Sequence, residues 1–368
     1  MNTKHNRKIH SKAPTRIDLA GGTLDIWPLY LMTPNATTLN VAIDLFAETE
    51  ISEVFHPPGK PGVHFHSEDQ KASLHMSWEK LSHDHYLDGV GPALELPVKL
   101  TRHYLIEKKA RGNFDASCEM HFKTIAKSPA GAGLGGSSAL SISMIGALHT
   151  WAIGPFDAAR DGEAAIEIAR DVETTVIKVP AGLQDYYGAM FGGLQSLRWL
   201  AGKHQRIHLD TSLLKELDDR LILMYSGRSR NSGINNWALY KAFIDGSENV
   251  RERFAQIAAS TLDLEKALVA RDWSKAADAI QAEWKVRHTL ASGISTPEMD
   301  HAFNIAAREG IRAGKICGAG GGGCFFLFMP HADSSKRKEI EKEISSEHIR
   351  VLSFKTVSHG VDVKVENL

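Results

Sequence analysis

The spacing of apolar residues divides the chain into strands and helices that alternate along its whole length. Ile17 and Leu19 alternate with polar neighbours as in a strand, and Gly21-Gly22 end it in a turn. Leu39, Val41, Ile43, Leu45 and Phe46 predict a long strand within Ala36 to Ser52. Residues 56 to 90 read as polar and irregular, with His64, His66, His83 and His85 scattered through them. Leu94, Leu96, Val98, Leu100, Tyr104 and Leu105 predict a helix over 92–111, and a strand follows near 114–124. From Ala139 to Leu148 the chain is apolar enough for a buried helix, and Ser137 and Ser138 are suitable N-caps for it. Asp157 to Thr175 predicts a second helix with Ala164, Ala165, Ile168 and Val172 on its apolar face.

Beyond a short helix at 185–190, Leu194 to Leu200 and Leu221 to Tyr225 read as strands. Residues 233 to 312 are helix-rich, with apolar spacing through Leu262, Leu264, Leu268, Trp273, Ala276 and Ile280. A glycine cluster and a buried strand lie within Lys315 to Phe328. A helix from Ser334 to Ser346 and strands near 350–356 and 361–366 complete the chain. No repeat and no low-complexity tract interrupts it. The expected division is into two domains, 1–190 and 191–368.

Composition changes this picture little. With 368 residues, 43% hydrophobic and 24% charged, the chain can form one large or two medium cores. A formal net charge of -1 gives no electrostatic reason to expect nucleic acid or an anionic membrane as partner. Cys118, Cys317 and Cys324 lack metal-like spacing, and so few cysteines suit a reducing compartment. Met1 to His10 is polar, with no apolar run of a signal peptide, and no stretch reaches membrane-span length. A cytoplasmic protein is expected.

The candidate chemistry centres on Pro129 to Leu140. Gly131, Gly133, Gly135 and Gly136 are four glycines in six positions, immediately before the buried helix. A glycine-rich turn feeding a helix N-terminus directs backbone N–H groups and the positive end of the helix dipole at one spot, an anion site suited to phosphate. The plain alternative is a turn that caps a core helix and binds nothing. A P-loop would need Gly-Lys-Ser/Thr, and no lysine follows Gly136. The dinucleotide pattern G-x-G-x-x-G fits Gly131, Gly133 and Gly136, with Asp157 as the following acid. Residues 158–176 then read as a helix where that pattern requires a second strand.

Other residues stand out by setting. Arg16, Asp18 and Asp25 cluster at a strand end and its turn, either as ligand groups or as solvated turn residues. Asp185 lies among glycines and apolar residues, where a carboxylate needs a partner, unless it only caps the short helix. Arg228 and Arg230, with Ser226 and Ser232, suit an anionic substrate group or form a plain surface turn. Five glycines in the six positions from Gly318 exceed what a hairpin needs, although a bulge or tight turn is the alternative. The His-x-His pair at 64 and 66 has no matching ligand array and reads as solvated histidines.

The stretch Pro129-Ala-Gly-Ala-Gly-Leu-Gly-Gly-Ser-Ser-Ala resembles the phosphate loop of the galactokinase, homoserine kinase, mevalonate kinase and phosphomevalonate kinase superfamily, the GHMP kinases, with Gly136 where a serine often stands. Ala13-Pro-Thr-Arg-Ile-Asp-Leu-Ala-Gly-Gly-Thr-Leu-Asp25 resembles that superfamily's first motif. It is most similar to the heptose 7-phosphate kinase and fucokinase branch, with Thr23-Leu24 in place of Gly-Thr. Gly182 to Gly193 resembles the segment that carries the branch's catalytic aspartate, and the 226–232 loop resembles another of its segments.

The resemblance implies an α+β, two-domain GHMP kinase fold, with an N-terminal ribosomal S5 domain 2-like domain and a C-terminal ferredoxin-like domain. It implies ATP held by Pro129, Gly131, Gly133, Leu134, Gly135, Gly136, Ser137 and Ser138, and Mg2+ held by Ser137 (or Ser138) and Glu173. Asp185 is then the catalytic base, Arg16 the stabiliser of the transferring group, and Asp18 and Asp25 bind sugar. Arg228, Arg230, Gly320 and Gly321 complete the expected substrate site. The expected reaction is phosphorylation of a sugar or sugar phosphate, foremost the anomeric hydroxyl of a heptose 7-phosphate, by a monomer or homodimer. Fucose, galactose, inositol and mevalonate remain open as acceptors. A nicotinamide-dependent oxidoreductase and a non-catalytic sugar sensor are the readings from other classes.

Overall fold

The computed structural model describes residues 7–55, 60–83, 89–228, 233–345 and 348–367. The first part runs β1 (Arg7–Ala20), α1 (Leu29–Met32), β2 (Thr37–Val54), β3 (Gly62–Ser67), β4 (Ala72–Met76), α2 (Trp78–Leu81), α3 (Pro92–Ala110) and β5 (Glu119–Ala126). It continues through α4 (Gly136–Ala152), α5 (Ala158–Ile177), α6 (Gln184–Phe191), β6 (Leu194–Arg198) and β7 (Gln205–His208). Then come α7 (Ser212–Arg220), β8 (Leu221–Tyr225), α8 (Gly233–Ile244), α9 (Glu248–Val269), α10 (Trp273–Arg287) and α11 (Pro297–Arg308). The chain ends in β9 (Ala313–Ile316), β10 (Cys324–Phe328), α12 (Ser334–Ile344), β11 (Arg350–Leu352) and β12 (Asp362–Asn367).

Two sheets organise these elements into an α+β fold. The larger has the order β12-β1-β2-β5-β3-β4, with β6 also pairing with β2 and β7 with β6. The smaller is antiparallel, in the order β11-β8-β10-β9. Strands β6, β7 and β12 of the larger sheet come from beyond residue 190, so a division of the chain there does not separate the sheets. Among the described residues no helix is long and apolar enough to cross a membrane.

Helix α4 is the central pillar. It is apolar on all sides and buried over nearly its whole length, as expected of a helix enclosed by a sheet and other helices. Gly146 lets it approach the sheet: a Cβ there would lie 2.9 Å from Ser11 Oγ and from Val363 Cγ2. Ser143 Oγ donates to the Ser11 carbonyl at 2.9 Å, so its hydroxyl is satisfied inside the core. Burial along β2 changes character midway. Its first seven residues are all buried, and its second half alternates, which marks one covered and one open face.

Four expectations need correction. The segment 56–90 holds the β3–β4 hairpin and α2. The period-2 signal was Val63 and Phe65 pointing inward, with Phe65 5.6 Å from Phe122, while His64 and His66 face outward. His64 lies 3.2 Å from Glu119 and His66 2.8 Å from Ser73 Oγ; no group of three or more His, Cys, Asp or Glu able to hold a metal occurs among the described residues. His85 lies outside the described residues. Strand β5 starts at Glu119, because Asp115 accepts from the Ser117 N–H at 2.9 Å and makes the preceding residues a turn. The N-cap of α4 is Gly135, not a serine. On α5, Ala164 is exposed and Ala165, Ile166 and Ala169 form the buried face.

The C-terminal segment closes over α6. A Cβ on Gly360 would sit 2.0 Å from the Met190 carbonyl oxygen. Gly360→Ala is therefore expected to cost about 1–3 kcal/mol, as overpacking against fixed backbone does, read as a lower midpoint in urea unfolding.

Candidate active site

The turn between β5 and α4 is clasped on both sides. Leu134 O accepts the Arg16 N–H at 3.0 Å, and Ala132 O accepts the Cys324 N–H at 2.7 Å. Gly133, at φ +75°, has no room for a side chain: a Cβ would lie 2.3 Å from the Cys317 carbonyl. Gly135, at φ +70°, turns the chain into α4. The first N–H groups of α4 have no acceptor within the helix, and Gly135 to Ser138 line a cleft of about 490 Å³. Backbone donors and the helix dipole therefore meet in that cleft.

Pro129, Gly131, Gly133, Gly135, Gly136, Ser137 and Ser138 all face this cleft, as expected of an anion loop. Leu134 does not: its side chain is buried in the core and anchors the loop from behind.

Arg16, Asp25, Glu173 and Asp185 line the same cleft. Arg16 is buried, donating from Nε and Nη2 to Asp185 Oδ1 at 2.8 and 2.5 Å and from Nη1 to Gly133 O at 2.6 Å. Burial works against its charge, but Asp185 and Asp18 outweigh that and raise its pKa. Gly188 leaves room for this side chain, since a Cβ there would lie 3.1 Å from Arg16 Cβ. The Asp185 side chain keeps 26% of its surface exposed, so it is open to a ligand from the cleft.

Asp25 accepts the Gln184 N–H at 2.9 Å, which ties it to the start of the helix that carries Asp185. Burial pushes its pKa up to about 6, with the Asp185 charge adding to the effect. Glu173 is buried and accepts from Tyr186 Oη at 2.6 Å and Ser138 Oγ at 3.5 Å. Burial raises its pKa too, against hydroxyl donors that favour the carboxylate.

Other expected residues lie elsewhere. Asp18 is fully buried, with Oδ2 3.0 Å from Lys315 Nζ, and so cannot touch a substrate. Arg228 pairs with Glu298 at 2.6 Å outside the cleft, and Arg230 lies outside the described residues. Gly320 and Gly321 turn back on Ile294, whose carbonyl accepts the Gly321 N–H at 2.6 Å; Gly318 and Ala319 face the cleft instead. The sequence reading missed the apolar wall beside the loop, formed by Pro92, Leu96 and Pro97 of α3 and Val176 and Ile177 of α5. Ile177 is 43% exposed, but a helical pattern alone does not say which apolar residue faces a cleft.

The rise of Asp25 from 3.8 to about 6 has a sign for stability. Between those pH values the folded protein holds a proton that the unfolded chain has released, so stability falls as pH rises through about 6. The full penalty is on the order of 3 kcal/mol. Asp25→Asn is therefore expected to raise the unfolding free energy at pH 7.5 by up to that amount, with the gain vanishing toward pH 4.

The description GHMP kinases N terminal domain matches residues 98–193, and GHMP kinases C terminal matches residues 264–349. The D-glycero-alpha-D-manno-heptose 7-phosphate kinase of Campylobacter jejuni is 27% identical over 361 residues, 96% of this chain and 98% of that protein. The L-fucokinase/L-fucose-1-P guanylyltransferase of Bacteroides fragilis is 23% identical over 91% of this chain and 36% of its own length. A solved D-glycero-D-manno-heptose 1-phosphate kinase from Bacteroides thetaiotaomicron has a TM-score of 0.70 at 21% identity, covering 97% of this chain and 98% of that one, which is a likeness of fold. The first match contains the glycine loop, Glu173 and Asp185, and the second contains the glycine cluster packed against that loop. Residues 98–193 and 264–349 thus match the N-terminal and C-terminal domains of the GHMP kinases.

Proposed function

We propose that the protein is an ATP-dependent kinase that transfers the γ-phosphoryl group to a hydroxyl of a sugar or sugar phosphate, with the anomeric hydroxyl of a heptose 7-phosphate as first candidate. The observation that carries this reading is the Arg16–Asp185 pair beside the N-terminus of α4, with Asp25 in the same cleft. Phosphoryl transfer needs positioning and neutralisation of spreading negative charge more than covalent participation. The amides of the loop and of α4 supply donors for the nucleotide phosphates. The apolar wall of α3 and α5 suits the base. Asp25 accepts from acceptor hydroxyls and sets the ring beside Asp185.

Asp185 takes the proton of the attacking hydroxyl as its oxygen bonds to the γ-phosphorus and the bond to the ADP oxygen breaks. Arg16 then has two tasks. It orients the Asp185 carboxylate, and its fixed charge faces the group in transfer.

The residues present fit Mg2+. Glu173 is a buried carboxylate held by hydroxyls, and its raised pKa reflects burial that a cation would offset. Glu173 with Ser137 or Ser138 offers hard oxygen donors, and nucleotide phosphates and water complete such a shell. When bound, the ion supplies charge neutralisation and orientation of the phosphates.

The domain division fits better with the first domain running through β7 and taking back β12 than with a cut at 190.

The test is ADP release with Mg-ATP and heptose 7-phosphate, fucose, galactose, inositol or mevalonate in turn. One acceptor is expected to support turnover, and Asp185→Ala to lower kcat about 10²–10⁴-fold. No turnover with any acceptor, together with NAD binding, would overturn the kinase in favour of the oxidoreductase. Binding of sugar and nucleotide without turnover would favour the sensor.

A further inference from the structure

Behind the cleft lies a group of four charges with almost no exposure to water. Lys315 Nζ of β9 sits 3.0 Å from Asp18 Oδ2 of β1 and 3.8 Å from Glu283 Oε1 of α10. Arg287, one turn on, donates from Nε to the same Glu283 oxygen at 2.7 Å. All four side chains are at most 3% exposed. Charges removed from water carry a desolvation penalty that pairing offsets only with good geometry, so such a group is weak evidence for stability as such. What the group holds is more informative.

The hydrogen bonds leaving these side chains run to one backbone segment. Arg287 Nη2 donates to Gly22 O at 2.8 Å, Glu283 Oε1 accepts the Gly21 N–H at 3.4 Å, and Lys315 Nζ donates to Asp18 O at 3.1 Å. Gly22 is pressed against the group, since a Cβ there would lie 2.3 Å from Asp18 Oδ2. The segment leads directly into Thr23, which stands at φ +77°. A β-branched residue holds such a conformation only where its surroundings over-determine it. Two residues later comes Asp25, whose far side is fixed by the Gln184 N–H and by a bridge from Ile26 to Gly182. The loop is thus gripped from behind by C-terminal elements and in front by the start of α6.

We propose that Asp18, Lys315, Glu283 and Arg287 are positioning residues for the acceptor, holding the backbone of 21–25 so that Asp25 meets the acceptor hydroxyls beside Asp185. This rests on the kinase reading of the site. The nucleotide loop is held by other contacts, through Arg16, Cys317 and Cys324, so the direct hydrogen bonds of the group run to the acceptor side. The charges also alternate in a row that ends at the reacting pair. Arg16 couples to Asp185 on one side and to Asp18 on the other, and Asp18 couples onward to Lys315 and Arg287.

Three variants test this beside the wild type. Lys315→Met strands Asp18 and is expected to lower the thermal midpoint. Asp18→Asn with Lys315→Met removes both charges and is expected to recover most of that midpoint. Arg287→Met removes the tie to Gly22 and leaves Lys315 near Glu283. The double variant and Arg287→Met are each expected to raise the acceptor KM about tenfold while the ATP KM stays within about twofold. Amides of 21–25 are expected to exchange hydrogen at least about tenfold faster in Arg287→Met, with 131–138 unchanged. A folded double variant with wild-type KM for both substrates, or equal losses for both, overturns the proposal while leaving the kinase intact. If the wild type turns over no acceptor, the kinase reading fails, and unchanged exchange at 21–25 in Arg287→Met overturns the positioning role independently.

Discussion

The site depends on one buried guanidinium. Arg16 is a charge taken out of water, and each of its three nitrogens donates: two to the Asp185 carboxylate and one to the Gly133 carbonyl. Those bonds join strand β1, the glycine loop and helix α6, which are far apart in sequence. Removing the Asp185 carboxylate leaves a buried charge uncompensated, which costs far more than an intact pair contributes. The relative placement of the glycine loop and Asp185 is therefore fixed by an electrostatic requirement and not by packing alone.

The glycines make that placement possible. Gly133 admits the Cys317 carbonyl, Gly188 admits the Arg16 stem, and Gly182 lies against Asp25, where a Cβ would be 2.3 Å from Oδ2. In each case the missing side chain is what lets a charged or backbone group approach. The two glycine-rich stretches are thus one feature seen from two ends of the chain, since a Cβ on Gly318 would lie 3.1 Å from Gly133 Cα.

This explains what the sequence could reveal. A glycine-rich turn entering an apolar helix is local chemistry, and so is an acid set among glycines, so Gly131 to Ser138 and Asp185 were legible without coordinates. Asp18 and Asp25 were not separable, because both are acids near one strand end. What distinguishes them is Lys315, 297 residues away and brought alongside by the pairing of β9 within another sheet. Arg228 looked like a substrate ligand for the same reason. Its partner Glu298 lies on α11, 70 residues on, and draws the guanidinium away from the cleft. The β3–β4 hairpin was hidden by its histidines, which occupy the outward positions of an ordinary period-2 pattern.

The cleft holds more carboxylates than cations to pair with them. Asp25, Glu173 and Asp185 share one guanidinium, Arg16, and that guanidinium is committed to Asp185. Burial raises the pKa values of the other two, and their backbone and hydroxyl donors offset it only in part. A polyphosphate entering this space adds negative charge where it is already in excess. The amides of α4 offset part of that excess, since a helix terminus carries roughly half a charge. In the proposed kinase, a divalent cation beside Glu173, next to the glycine loop, would offset the remainder. Nucleotide and divalent ion would then enter as a unit. The electrostatics that make Asp25 reluctant to ionise would ease as the hydroxyls of the acceptor arrive to donate to it.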